Sequence, residues 1–134
     1  MIGGRVLDTT ALLDAGTGRT VYFRALVIAA TRLGTTLVVP TTAWAEAWAL
    51  APEPARGFLD LMAEHPLVVF DPVDVVRGRE AGLLAAGVES RGMPWSVRSA
   101  HVARVSLERD FPVVTADPEP LLSVDAAVRI EQLP

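Results

Sequence analysis

The stretch Arg5-Val6-Leu7-Asp8-Thr9-Thr10 passes from an apolar run to a carboxylate and then to two hydroxyl side chains. The run predicts a short buried strand, and one of the two threonines is expected to cap a helix that follows. In an open α/β sheet, ligands bind beyond the carboxyl ends of the strands. Asp8 is therefore predicted to lie at the mouth of such a crevice, and capping of the next turn is an equally weighted alternative.

The rest of the chain alternates between strand and helix patterns. Buried strands are predicted at residues 5–8, 36–39, 67–70, 112–115 and 128–130. Longer helices are predicted at residues 19–33, 41–50, 54–64, 73–87 and 97–109, the last with Ser96 as its N-cap. This alternation predicts an α/β fold with a largely parallel sheet and helices on both faces. The length of 134 residues favours a single domain over residues 1–134.

The composition argues against several classes of protein. No apolar run approaches the about 18 residues of a membrane helix. A net charge of −4 argues against a protein that coats nucleic acid through many basic contacts. With no cysteine and two histidines, a bound metal is expected to have oxygen ligands, which favours Mg²⁺ or Mn²⁺. The lack of cysteine and of signal-peptide features at the N-terminus is typical of a cytoplasmic protein.

Further acids are predicted at the same edge of the sheet as Asp8. Glu46 lies in the helix after the second strand, and Asp117 follows the fourth strand, with Glu119 nearby. Each has an ordinary alternative, because Glu46 taken alone is better explained as a solvated helix position and Asp117 as a cap ahead of Pro118. Carboxylates gathered at one edge would repel one another and require a cation. A divalent ion held there can activate water for attack on phosphorus.

Four segments together resemble a known family. Residues 6–13, 40–46, 99–103 and 112–117 are similar in order and spacing to the motifs of PIN domains, most closely the VapC-type toxins of bacterial toxin–antitoxin pairs. The resemblance covers nearly the whole chain. It implies a PIN-like three-layer α/β/α sandwich with a mostly parallel central sheet. It also implies Mg²⁺- or Mn²⁺-dependent cleavage of RNA, a small antitoxin protein as partner, and a homodimer.

The resemblance also assigns roles to residues. It makes Asp8, Glu46 and Asp117 the catalytic and metal-binding acids, with Thr10 and Glu119 in support. In the helix at residues 97–109, Arg98 and Arg104 are candidates for contacts with RNA phosphates, and solvated helix arginines are the commoner alternative. His101 of that helix is expected to be structural rather than a catalytic base.

Ser99 is where the sequence departs from the family, which usually has an aspartate at this position. A neutral hydroxyl is a poorer metal ligand, and loss of a ligand or of its support typically costs about 10–100-fold in affinity or activity. The leading hypothesis keeps Ser99 as a supporting residue of a working ribonuclease. Glu89, in the loop before this helix, could replace the missing acid. The alternative is a catalytically degenerate PIN-like module that binds RNA or a protein partner without cleavage.

Overall fold

The computed structural model describes residues 3–134. Met1 and Ile2, which begin the N-terminus predicted to lack a signal peptide, lie outside the described residues. The strands are β1 (Gly4–Leu7), β2 (Thr36–Pro40), β3 (Val68–Asp71), β4 (Val113–Thr115) and β5 (Ile130–Gln132). The helices are α1 (Thr9–Thr17), α2 (Tyr22–Leu33), α3 (Thr41–Leu50), α4 (Glu53–Ala63), α5 (Val75–Ser90), α6 (Val97–Arg109) and α7 (Glu119–Val124). Between residues 3 and 134, no helix is both long and apolar enough to cross a membrane.

The five strands form one sheet in the order β3-β2-β1-β4-β5, and every neighbouring pair is parallel. This confirms the predicted α/β class and places β1 at the centre. Val6 of β1 pairs with Val38 of β2 on one side and with Val113 of β4 on the other. Because all strands run the same way, their carboxyl ends lie along a single edge of the sheet.

The central strands are buried on both faces, which explains their unbroken apolar sequences. Val6, Leu7, Val38 and Val39 are fully buried, as are Val113 and Val114. Helix α6 contacts β1, β2 and β4 and also packs against α3, α5 and α7. The helix therefore crosses the middle of the protein, and its first turn lies beside Asp8 at the carboxyl end of β1.

Several boundaries differ from the predictions for a local reason. Helix α2 begins at Tyr22 rather than residue 19, because Asp14 binds the backbone and side chain of Thr20 at 3.0 and 2.8 Å and holds that segment as a turn. Helix α5 begins at Val75 rather than residue 73, because the Asp74 side chain caps it by accepting from the amide of Arg77. Strand β5 lies two residues later than the prediction of residues 128–130, in register with β4.

Candidate active site

Asp8 follows β1 directly and begins the site. Its side chain is 1% exposed, and Oδ1 accepts a hydrogen bond of 2.8 Å from the amide of Thr9. Asp8 is therefore the N-cap of α1, and the prediction that a threonine caps this helix is wrong. The capping alternative is therefore confirmed, while a role for Asp8 in a ligand site at the carboxyl end of the central strand stays a prediction.

Two threonine hydroxyls hold Asp8 in place. The Thr115 hydroxyl, fully buried at the end of β4, donates to Asp8 Oδ2 at 2.8 Å. Thr10 Oγ1 lies 3.2 Å from Thr115 Oγ1 and accepts from the amide of Ala116 at 2.8 Å. Since the Thr115 proton is directed at Asp8, Thr10 donates to Thr115. Sequence reasoning missed Thr115, because a threonine inside an apolar run looks like an ordinary strand residue.

Arg98 lies between the two acids predicted to meet at this edge. Its Nη1 donates to Asp8 Oδ1 at 2.9 Å and to Oδ2 at 3.1 Å. Its Nε reaches Glu46 Oε2 at 3.4 Å. The Arg98 side chain is 17% exposed and that of Glu46 41% exposed. The structure therefore brings Asp8 and Glu46 together, with a guanidinium as their shared cation.

Ser99 uses its hydrogen bonds within its own helix turn. Ser96 is the N-cap of α6, as predicted, and its Oγ accepts from the Ser99 amide at 3.0 Å. Buried Ser99 Oγ donates to the Ser96 carbonyl at 3.1 Å and accepts from Ser96 Oγ at 2.9 Å. The alternative acid, Glu89, lies in the last turn of α5 rather than in the predicted loop, and it accepts from the indole of Trp95. The hydroxyl of Ser99 thus completes a helix cap.

Asp117 and Glu119 both follow β4 and are exposed. The amide of Asp117 donates to Thr115 Oγ1 at 3.0 Å, which connects the backbone of Asp117 to the group that holds Asp8. The alternative of Asp117 as a cap is wrong, because Pro118 holds the N-cap position of α7 without a side-chain hydrogen bond. Glu119 lies in the first turn of that helix.

A second polar cluster lies on the same two helices. His101 is fully buried, with Nδ1 at 2.7 Å from the Thr42 hydroxyl and Nε2 at 3.0 Å from Asp71. Burial lowers the pKa of His101, and the contact with Asp71 opposes that shift without reversing it. A neutral ring accepts from Thr42 and donates to Asp71. Thr42 lies one turn before Glu46 on α3, and His101 one turn after Arg98 on α6, so the cluster holds the helices that carry the site.

Asp71 anchors this second cluster. Arg77 donates to both of its oxygens at 3.0 Å. Burial raises the pKa of Asp71, but the hydrogen bonds from Arg77 and His101 outweigh it and lower the pKa overall. Arg104 donates to Glu80 at 3.0 and 2.7 Å, so its guanidinium is engaged away from the acid edge.

The donor chemistry of the site suits a hard divalent cation, because Asp8, Glu46 and Asp117 all offer carboxylate oxygens. The arrangement accommodates one only if Arg98 moves. Within residues 3–134, no three acid, histidine or cysteine side chains are grouped so as to hold a metal ion. The structure brings two of the three predicted ligands to one cation and leaves Asp117 exposed beside them.

The same architecture occurs in solved toxin–antitoxin complexes. A chain in the structure of VapBC2 from Rickettsia felis bound to a promoter DNA fragment aligns with a TM-score of 0.76 at 12% identity, over 98% of this chain and 99% of that chain. A chain of DNA-bound VapBC from Salmonella typhimurium aligns with a TM-score of 0.72 at 16% identity, over 98% of both chains. This protein has a PIN-like fold.

The PIN-like fold is shared at low sequence identity. A chain of VapBC-5 from Mycobacterium tuberculosis is 21% identical over 97% of both chains, with a TM-score of 0.60. No protein-family model matches the sequence, and no curated protein matches it. The comparisons therefore establish architecture, and any activity has to be argued from the residues at the carboxyl edge of the sheet.

Proposed function

We propose that this protein is an endoribonuclease of the VapC toxin type that depends on Mg²⁺ or Mn²⁺ held by Asp8, Glu46 and Asp117. The observation that carries the proposal is the convergence of buried Asp8 and half-buried Glu46 on one guanidinium at the carboxyl edge of the sheet. Two carboxylates that share one cation support a cation site at this edge. The full-length similarity to chains of VapBC complexes supports the choice of toxin type.

The roles of the residues follow from how they are held. A divalent ion supplies a Lewis acid and lowers the pKa of a bound water. Asp8 is rigid, because the Thr9 amide and the Thr115 hydroxyl fix its orientation. Thr10 supports Thr115 from α1. Glu46 and Asp117 lie closer to solvent, on the side from which an RNA phosphodiester would approach.

The second candidate function is a catalytically degenerate module that binds RNA or a protein partner without cleavage. Both hydrogen bonds of the Ser99 hydroxyl go to Ser96, so this residue adds nothing to the charge around Asp8. Arg98 already neutralises part of that charge. These two observations favour a site with weak affinity for metal.

Restoring an acid at position 99 is expected to separate the two candidates. Ser99→Asp adds a carboxylate next to Arg98 in the first turn of α6, and we expect RNA cleavage in Mn²⁺ to rise by about 10–100-fold. The matched control is Val97→Asp, which adds the same charge in the same turn at a side chain that is 54% exposed. Cleavage by the wild type, raised in Ser99→Asp, supports the ribonuclease. A wild type that does not cleave RNA, together with a Ser99→Asp variant that does, supports the degenerate module. Cleavage by Ser99→Asp that is no faster than cleavage by Val97→Asp would contradict the placement of residue 99 at the metal site.

We propose two protein partners for this chain. One is a small antitoxin protein, and the other is a second copy of the chain in a homodimer. An open apolar cavity of about 470 Å³ supports the first, with Phe23, Val27 and Ile28 of α2 and Phe58 of α4 in its wall. Ile28 is 50% exposed there. Exposed apolar surface of this kind marks sites of protein contact.

A charge placed in this cavity is expected to prevent antitoxin binding. Where a short reading frame lies directly upstream of the gene, Ile28→Asp should lose co-purification with the small protein that this frame encodes, because an unpaired carboxylate would be buried in the contact. The control is Leu83→Asp, at a side chain on α5 that is 59% exposed and lies outside the cavity. Retention by Ile28→Asp, or equal loss in both variants, would contradict this location of the interface.

A further inference from the structure

We propose that Arg98 is an intramolecular counter-cation. Its guanidinium occupies the position of the metal ion and must move away before a divalent ion binds. The inference rests on the proposed function, since it concerns the same carboxylates. The contacts that carry it are the paired hydrogen bonds to Asp8 at 2.9 and 3.1 Å and the approach to Glu46 at 3.4 Å.

The hydrogen bonds of Asp8 leave no place for an added ion. Oδ1 accepts from the Thr9 amide and from Arg98, and Oδ2 accepts from the Thr115 hydroxyl and from Arg98. A carboxylate offers about four lone-pair sites, so Asp8 is saturated. A metal ion can bind this carboxylate only by displacing one of its donors.

Arg98 is the donor that can leave. The Thr9 amide belongs to the first turn of α1, and the Thr115 side chain is fully buried in the sheet. Arg98 instead extends a long flexible side chain from the beginning of α6 and is 17% exposed. Rotation about its side-chain bonds takes the guanidinium to solvent, where water replaces the carboxylates as its partner.

The net charge of the site determines how strongly Arg98 competes with a divalent ion for the carboxylates. Asp8 and Glu46 together carry two negative charges, and Arg98 cancels one of them. A neutral serine at position 99 adds no further attraction for a cation. Metal binding must therefore overcome the charge-assisted hydrogen bonds of Arg98, which are stronger than those between neutral groups. We infer that the apparent metal affinity of the site is set by Arg98 as much as by its ligands.

Calorimetric titration of Mn²⁺ into the purified full chain tests this inference without an activity assay. Arg98→Gln keeps much of the length and polarity of the side chain but removes the charge, and it is expected to bind Mn²⁺ at least about tenfold more tightly than the wild type, because the ion no longer competes with charge-assisted hydrogen bonds. The matched control is Arg104→Gln on the same helix, whose guanidinium pairs with Glu80, and it is expected to bind as the wild type does. Arg98→Lys keeps the charge without the planar fork, and its affinity is expected to fall between those of the wild type and Arg98→Gln.

The outcomes separate the inference from the proposed function. Equal, measurable affinity in the wild type and Arg98→Gln would overturn the counter-cation and leave the metal site standing. Absence of Mn²⁺ binding in every folded variant would overturn the metal site, and the counter-cation with it. If Arg98→Gln does not fold, the lysine variant gives the answer, because Mn²⁺ binding no tighter than that of the wild type would overturn the counter-cation.

Discussion

Asp8→Asn is expected to abolish RNA cleavage, with a loss of at least about 100-fold in rate at saturating Mn²⁺. Asparagine matches aspartate in shape, and its carbonyl oxygen can still accept from the Thr9 amide that Asp8 caps. The change removes the negative charge from the most buried carboxylate of the site and leaves the backbone around it in place. The measurement is cleavage of a labelled RNA with Mg²⁺, with Mn²⁺ and with a chelator.

Asp14→Asn is the matched control for this experiment. Asp14 is also a buried acid on α1, but it binds the backbone and hydroxyl of Thr20, away from Arg98. It is expected to retain cleavage, and circular dichroism should show both variants folded. Cleavage that survives Asp8→Asn unchanged would mean that the activity arises elsewhere. Equal loss in both variants would point to a general effect on folding rather than to the site.

Asp71→Ala is expected to cost about 3–5 kcal/mol in the free energy of unfolding at pH 7. Asp71 is 5% exposed at the end of β3, where it accepts two hydrogen bonds from Arg77 and one from His101. Its removal leaves a largely buried guanidinium and a buried imidazole without their central acceptor. Urea denaturation followed by circular dichroism measures the effect.

The control for Asp71 is Asp60→Ala, at an exposed position on α4, which is expected to change stability by less than about 0.5 kcal/mol.

The pH dependence of stability provides a second check on the role of Asp71. Because the folded-state pKa of Asp71 is lowered, its contribution is present above the unfolded value of about 3.9 and is lost as the pH falls through the folded value. The difference between wild type and variant should therefore shrink in acid. A cost below about 1 kcal/mol at pH 7 would contradict a central role for this carboxylate.

The strands show how much of the fold a sequence of this kind predicts. Residues 36–39 and 112–115 are continuous apolar runs, and their counterparts β2 and β4 are buried on both faces of a parallel sheet. The signal is local, because burial on both sides removes the alternation of polar and apolar residues. Ser96 is equally local, since a cap bonds an amide three residues away. The exact boundaries of α2 and α5 depended on turns in which single aspartates bind backbone amides.

The site depended on contacts that no local pattern contains. Sequence reasoning selected Asp8 and Glu46 and considered Arg98 only as a contact for RNA phosphate. Arg98 and Asp8 are 90 residues apart in the chain, and they meet because α6 packs across the end of β1. Thr115 reaches Asp8 only because β4 pairs with β1 in a specific register.

The sequence by itself therefore determined the class of fold, the buried strands and the position of Asp8 directly after the first of them. Burial and helix capping restrict which residue types occur at a position, and these restrictions are visible over a few neighbouring residues of the sequence. Only the tertiary structure decided that Asp8 and Glu46 share a guanidinium, that Ser99 completes a helix cap, and that His101 binds Asp71. Those pairings depend on the order of the strands and the rotation of α3 and α6, which arise from packing over the whole chain.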